Sequence, residues 1–336
     1  MEILSQSNQC GTLWFLKMHS ILDIARETYP EIVTCRLSNI VNEQVLQDSI
    51  KFFKDKNRPV LVESDDNESH RRYIKIIEKQ YEKFAFTSPG KNNHSRHITN
   101  LDCLTRYCCD PTQPTIDHDH DKKYKFLFLV GKPQPYRWKM IQALWKRNLI
   151  DKSLISLRNE AEAYTHIIPK SLLLPKEYEW KEINDLGGYR WDMKINSKLD
   201  MAWQSYFGKV HPLLYRDTAI SIVSEGSIDK GINLVSEKTW IPIVAEHLMV
   251  FQASTGHIQF LEELGFNMKY EVFADYDESD HEMVANICSD LDNSSSRSLY
   301  DSTRKQRLYN RNLALDEQHW KSYHLNQLKN FNWDRL

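Results

Sequence analysis

The chain has 336 residues, long for a single core and comfortable for two domains of ordinary size. Hydrophobic residues make up 41% and charged residues 27%, a globular composition with ample material for a core. The formal net charge of −2 excludes a protein that holds nucleic acid by bulk positive charge, though a local basic groove stays open.

In chain order, "SNIVNEQVLQDSIKFFKD" places Ile40, Val45, Ile50 and Phe53 at helical spacing, with Ser38 and Asn39 as caps. "RPVLVESDD" reads as a short buried strand, Val60 to Val62, ending in carboxylates, and "SHRRYIKIIEKQYEKFAF" as an amphipathic helix. Two prolines and a dense polar run in "CCDPTQPTIDHDHDKK" have linker composition, so a domain boundary is expected near 108–123. "YKFLFLVG" then reads as the first strand of a new parallel sheet, and "KPQPYRWKMIQALWKRNLI" as a helix with Trp138, Ile141, Leu144 and Trp145 on one face.

Further on, "TAISIVSEGS", "LMVFQ" and "YEVFAD" read as strands, alternating with helices in "EKTWIPIVAEH" and "STGHIQFLEELGF", the latter stopped by Gly265. "DNSSSRS" reads as a loop, and "RKQRLYNRNLALDEQHWKSYHLNQLKNF" as a long helical tail folding back across the domains. Alternation at this pace predicts an α/β chain: a first domain over 1–120, a second, doubly wound one over 121–300, and a helical tail over 301–336.

Ligands of an open parallel sheet sit beyond the carboxyl ends of its strands. Three groups fall there: Gly131 through Arg137, Glu225, and Ser236-Glu237-Lys238-Thr239. A helix N-terminus attracts phosphate through unpaired N–H groups and a partial positive charge. Lys238 adds a mobile cation, Glu237 can accept from sugar hydroxyls, and Ser236 or Thr239 can cap. That combination suits a ligand carrying both hydroxyls and phosphates, such as a nucleotide sugar. The bland alternative makes Glu237 and Lys238 ordinary first-turn residues on a solvated face. Pro242 requires the helix to kink or to start later than Glu237.

"ISIVSEGS…NLVSEKTWIPIVAEHLMVFQASTGHIQFLEELGF" resembles the donor-binding half of GT-B glycosyltransferases related to the fucosyltransferases, with Ser236 where that group usually has Thr. "FLFLVGKPQPYRWKMIQALWKRNLID" is similar to the opening of the same half in short, often virus- and bacterium-encoded members, with two prolines added in the loop. The likeness covers roughly residues 121 to 280. It implies two Rossmann-like domains, Glu237 on the ribose, Lys238 and Arg137 on the diphosphate, and Glu225 towards the sugar or nucleoside. It also implies a UDP- or GDP-linked donor, no tightly bound cofactor and no metal, with a glycan or a hydroxylated base of viral DNA as acceptor.

Glycosyl transfer with inversion needs a base on the acceptor hydroxyl and positive charge on the leaving diphosphate. "VLVESDDNESH" supplies Asp65, the first choice, and Asp66 beside it, and Asp102 is a further candidate. "DHDHD", residues 117 to 121, invites a metal-dependent hydrolase as an alternative, but no third ligand group lies nearby in sequence. A non-catalytic glycan- or nucleotide-binding protein is the other alternative. Lys91, His94, Arg96 and His97, with Tyr73 or Phe86 for stacking, offer a basic patch for a polyanion. Six cysteines without paired spacing, no secretory signal and no run of about eighteen apolar residues point to the cytoplasm, which the resemblance implies is that of a bacterium or of a virus-infected host cell.

Overall fold

The computed structural model describes residues 21–333 except 38–39, 41, 65–67, 89, 92–93, 100, 102–112, 120, 131–133, 157–209, 211, 227, 229–232, 271 and 273–274. The chain divides into two compact units, 1–89 with 93–111 and 316–336, and 90–92 with 112–315. No helix among the described residues is long and apolar enough to cross a membrane.

The first unit holds α1 (Ile21–Thr28), β1 (Val33–Arg36), α2 (Glu43–Lys56), β2 (Val60–Glu63), α3 (Glu68–Gln80), β3 (Phe84–Ser88) and β5 (His97–Thr99). Its four strands pair in parallel in the order β1-β2-β3-β5. Alternation along the strands sends Val60, Val62, Phe84 and Phe86 to one face, with Leu46, Ile50 and Phe53 of α2 and Ile77 of α3. Leu61, Ala85 and Ile98 go to the other, against Ile21, Leu22 and Ala25 of α1 and Leu328. A parallel sheet covered on both faces is the arrangement that lets every strand residue be apolar.

In the second unit lie β6 (Tyr124–Leu129), α4 (Pro135–Lys146), β7 (Ser153–Ser156), α5 (Pro212–Asp217), β8 (Thr218–Ser224), β9 (Asn233–Leu234), α6 (Glu237–Val244), β10 (Leu248–Gln252), α7 (His257–Glu263), α8 (His281–Asp292) and α9 (Ser296–Ala314). The order β10-β8-β6-β7 is again wholly parallel, and β8 and β10 are buried along their whole length. A two-residue strand, β4 (Gly90–Lys91), pairs antiparallel with β9. Phe126, Phe128, Ile220, Ile222 and Val250 meet Trp138, Ile141 and Leu144 of α4 and Val284 and Cys288 of α8 in one core. The last helix, α10 (Glu317–Asn330), belongs to the first unit, where it packs on α1.

Several expectations need correction. Asn42, not Ser38 or Asn39, caps α2: its side chain accepts from the Val45 amide at 3.0 Å. Ile40 is buried but precedes the helix, so a tertiary contact mimicked helical spacing. The end of "EKFAF" leaves the helix and becomes the fully buried β3. "YEVFAD" forms no strand among its described residues; Tyr270 fills the core without regular structure and Val272 lies in a turn. "DNSSSRS" is only a brief joint, because Ser295 caps α9 through the Ser298 amide. The long tail is two helices, broken where Asp316 caps α10 by accepting from the His319 amide at 2.9 Å.

Candidate functional site

Three strand ends of the second unit supply the site. β6 runs towards α4, whose first turn carries Arg137; β8 ends at Ser224 and passes into Glu225; β10 ends at Gln252, paired in register with Ser224. Gly131, the other member of the first loop, lies outside the described residues.

Glu225 is 2% exposed, and both oxygens of its carboxylate are engaged by the start of α6. One oxygen accepts from the Ser236 amide at 3.0 Å and the Thr239 hydroxyl at 2.6 Å; the other accepts from the Ser236 hydroxyl at 2.6 Å. Ser236 is the N-cap, its hydroxyl accepting from the Lys238 amide at 3.3 Å. The amides of Thr239 and Trp240 both turn back to the Ser236 carbonyl. The amides of Lys238, Thr239 and Trp240 are therefore already used within the protein, so side chains make up most of what the first turn can offer a ligand. The helix starts at Glu237 despite Pro242, which is buried within it and accepts from the His247 amide at 2.9 Å.

Outside this lock stand Glu237 and Lys238, joined by an ion pair of 2.8 Å with side chains 41% and 25% exposed. Burial pushes the Glu237 carboxyl up, yet the charge and hydrogen bond of Lys238, its own backbone amide and, least, the charge of Arg137 bring it below the ordinary carboxylate range. Arg137 is buried over the Tyr136 ring and donates to the Ser224 hydroxyl (3.4 Å) and carbonyl (3.2 Å). At the carboxyl edge of the parallel sheet the partly exposed Lys238 and Glu237 can meet a phosphate and a hydroxyl at once, with Arg137 a buried positive charge behind them.

Sequence reasoning missed His257. It opens α7 just after Gly256, whose φ of +84° suits glycine, and it packs on Phe251 with ring centroids 5.1 Å apart. It is fully buried, and neither ring nitrogen has a hydrogen-bond partner among the described residues. Burial lowers its pKa to about 4, against the opposing pull of Glu225. A Gly-His pair at a helix start was the available signal.

Asp65, Asp66 and Asp102 lie outside the described residues. Glu63, just before the first two, is tied to Arg36 at 2.7 Å. Of the two histidines in "DHDHD", His118 uses Nε2 on the Ala245 carbonyl (2.7 Å) and Nδ1 on Lys122 (3.3 Å), and His120 lies outside the described residues. No group of three or more His, Cys, Asp or Glu able to hold a metal occurs among the described residues. Phe86 is not available to stack on a base either, being buried between His94 and His97, while His94 pairs with Glu78 and His97 with Ser88.

No family model matches the chain, and no curated protein matches it. Among solved structures, it is similar to the spinosyn rhamnosyltransferase SpnG complexed with thymidine diphosphate, at 10% identity over 92% of this chain and 75% of that one. The TM-score is 0.35, too loose a likeness to carry weight for fold or function.

Proposed function

We propose that this chain is a GT-B glycosyltransferase that moves a sugar from a UDP- or GDP-linked donor to a hydroxyl acceptor, a glycan or a hydroxylated base of viral DNA. The observation that supports it is the partly exposed ion pair of Glu237 and Lys238 at the first turn of α6, 2.8 Å apart, with the charge of Arg137 acting on the same carboxylate. In this reading Lys238 and Arg137 neutralise the diphosphate as it leaves, and Glu237 accepts from the ribose hydroxyls. The acceptor proton goes to a carboxylate, Asp65 first, with Asp66 and Asp102 as the other candidates. The cations do the work of a metal, so none is required, and the cytoplasm supplies the nucleotide sugar.

Titration calorimetry with UDP and GDP, with and without magnesium, tests this. Binding of one nucleoside diphosphate that does not need the metal is expected; no binding of either would end the proposal. Asp65→Asn should then keep the affinity and lose turnover, and normal turnover in that variant would move the base to another of the three.

A further inference from the structure

Glu225 looks from the sequence like a ligand contact, and its geometry says otherwise. A carboxylate offers about four acceptor positions. Three protein donors already occupy both oxygens of Glu225, from Ser236 N, Ser236 Oγ and Thr239 Oγ1, at 3.0, 2.6 and 2.6 Å. With 2% of the residue exposed, a sugar hydroxyl has little to reach. What the bonds do is tie the end of β8 to the first turn of α6. The Ser236 backbone is held extended at φ −116° and ψ −176°, and the helix begins on the next residue, with Glu237 and Lys238 as its first two.

We propose that Glu225 is a positioning residue for diphosphate recognition: it clamps Ser236 and Thr239 so that the neighbouring Lys238 and Glu237 meet the ligand already in place. This rests on the nucleotide reading of the site. Fixing a charged side chain before binding raises affinity because less ordering is left to do when the ligand arrives. The second arm of the clamp makes the idea separable from direct contact. Thr239 is fully buried and cannot touch a ligand, yet its hydroxyl is one of the three donors.

The test measures the Kd of UDP and GDP by calorimetry for the unaltered protein and for Glu225→Gln, Thr239→Val and Lys238→Ala, with circular dichroism to confirm folding. Lys238→Ala should weaken binding, and Glu225→Gln and Thr239→Val should each cost roughly tenfold in affinity in the folded protein. A merely structural role would lower the melting temperature and leave the affinity of the folded fraction unchanged, which would overturn the proposal. So would a loss in Glu225→Gln with none in Thr239→Val, the pattern of a direct contact. Should Glu225→Gln fail to fold, Thr239→Val decides alone. If Lys238→Ala weakens binding and neither clamp variant does, the clamp is wrong and the nucleotide site stands; if Lys238→Ala also changes nothing, the site itself is wrong.

Discussion

The two edges of the second-unit sheet are both rich in charge, and they use it in opposite ways. At the amino edge, before β6, β8 and β10, His118, Lys122, His247, Tyr300 and Arg307 form one packed group. The Arg307 guanidinium lies 4.0 Å from the centre of the Tyr300 ring and donates to Thr303, to the Glu246 carbonyl and to the Tyr300 carbonyl. Lys122 donates to the Arg216 carbonyl at 2.9 Å, and His247 bonds Ser221 and the Thr218 carbonyl, each at 2.8 Å. Burial drives His118 down to about 3 and Lys122 down to about 8. At the carboxyl edge, Glu225 is locked in, but Glu237 and Lys238 keep part of their surface. Perturbed acidity alone therefore does not mark a site. At the amino edge the hydrogen-bonding capacity is spent inside the protein; at the other edge a pair of charges is left over for something else.

That contrast can be broken by mutation. The largest effect is expected from Arg307→Ala, which removes the guanidinium that donates to Thr303 and to the Glu246 and Tyr300 carbonyls and packs on the Tyr300 ring, and which should cost about 3 kcal/mol of stability. Urea melts would show it, and nucleotide affinity of the folded protein should not move; an affinity loss at unchanged stability would make the amino edge functional. Next, Lys238→Ala should lower UDP or GDP affinity by about ten- to a hundredfold, ~1.5–3 kcal/mol for a charge-assisted contact, with unfolding midpoints nearly unchanged. Unfolding with no separate binding defect would place it with Arg307 instead.

The smallest effect is in pH. His118, His247, His257 and His324 all have pKa values below the ordinary histidine value, with burial as the leading cause. The unfolded chain binds protons at these rings first, so stability is full above about pH 6.5 and falls as the pH drops towards 4. In His324, whose pKa burial lowers to about 4, Nε2 also accepts from the Leu101 amide at 3.1 Å, a role only the neutral ring can fill. Replacing it by Gln should make the fall shallower by up to one proton, read from melts between pH 5 and 7. An unchanged slope would mean that His324 keeps its charge behaviour on unfolding.

Strand–helix alternation was legible because buried parallel strands such as "YKFLFL" and "LMVFQ" are short apolar runs bounded by polar turns. Less legible were places where burial, rather than local period, put an apolar residue in the pattern, as at Ile40, Phe84 and Tyr270. The polar stretch after 112 read as solvated linker, yet Gln113 accepts from the Val210 amide and His118 packs on Tyr300. Those partners are 97 and 182 positions away, beyond any window. At the site, Glu237 and Lys238 were visible as a charged helix start. The role of Glu225 was not, because its partners lie eleven and fourteen residues on, and a carboxylate after a strand looks the same whether it faces a ligand or a neighbouring turn.

The placement of α10 bears on how the molecule is made. Leu328 is fully buried against Ile21, Ile98 and Ala85, so the first unit's core includes side chains from near both ends of the sequence. On the ribosome, residues 112–315, nearly all of the second unit, emerge as one uninterrupted run, while the first unit keeps an open apolar face until α10 has been made. Nascent chains stalled before that point should be the ones that chaperones hold.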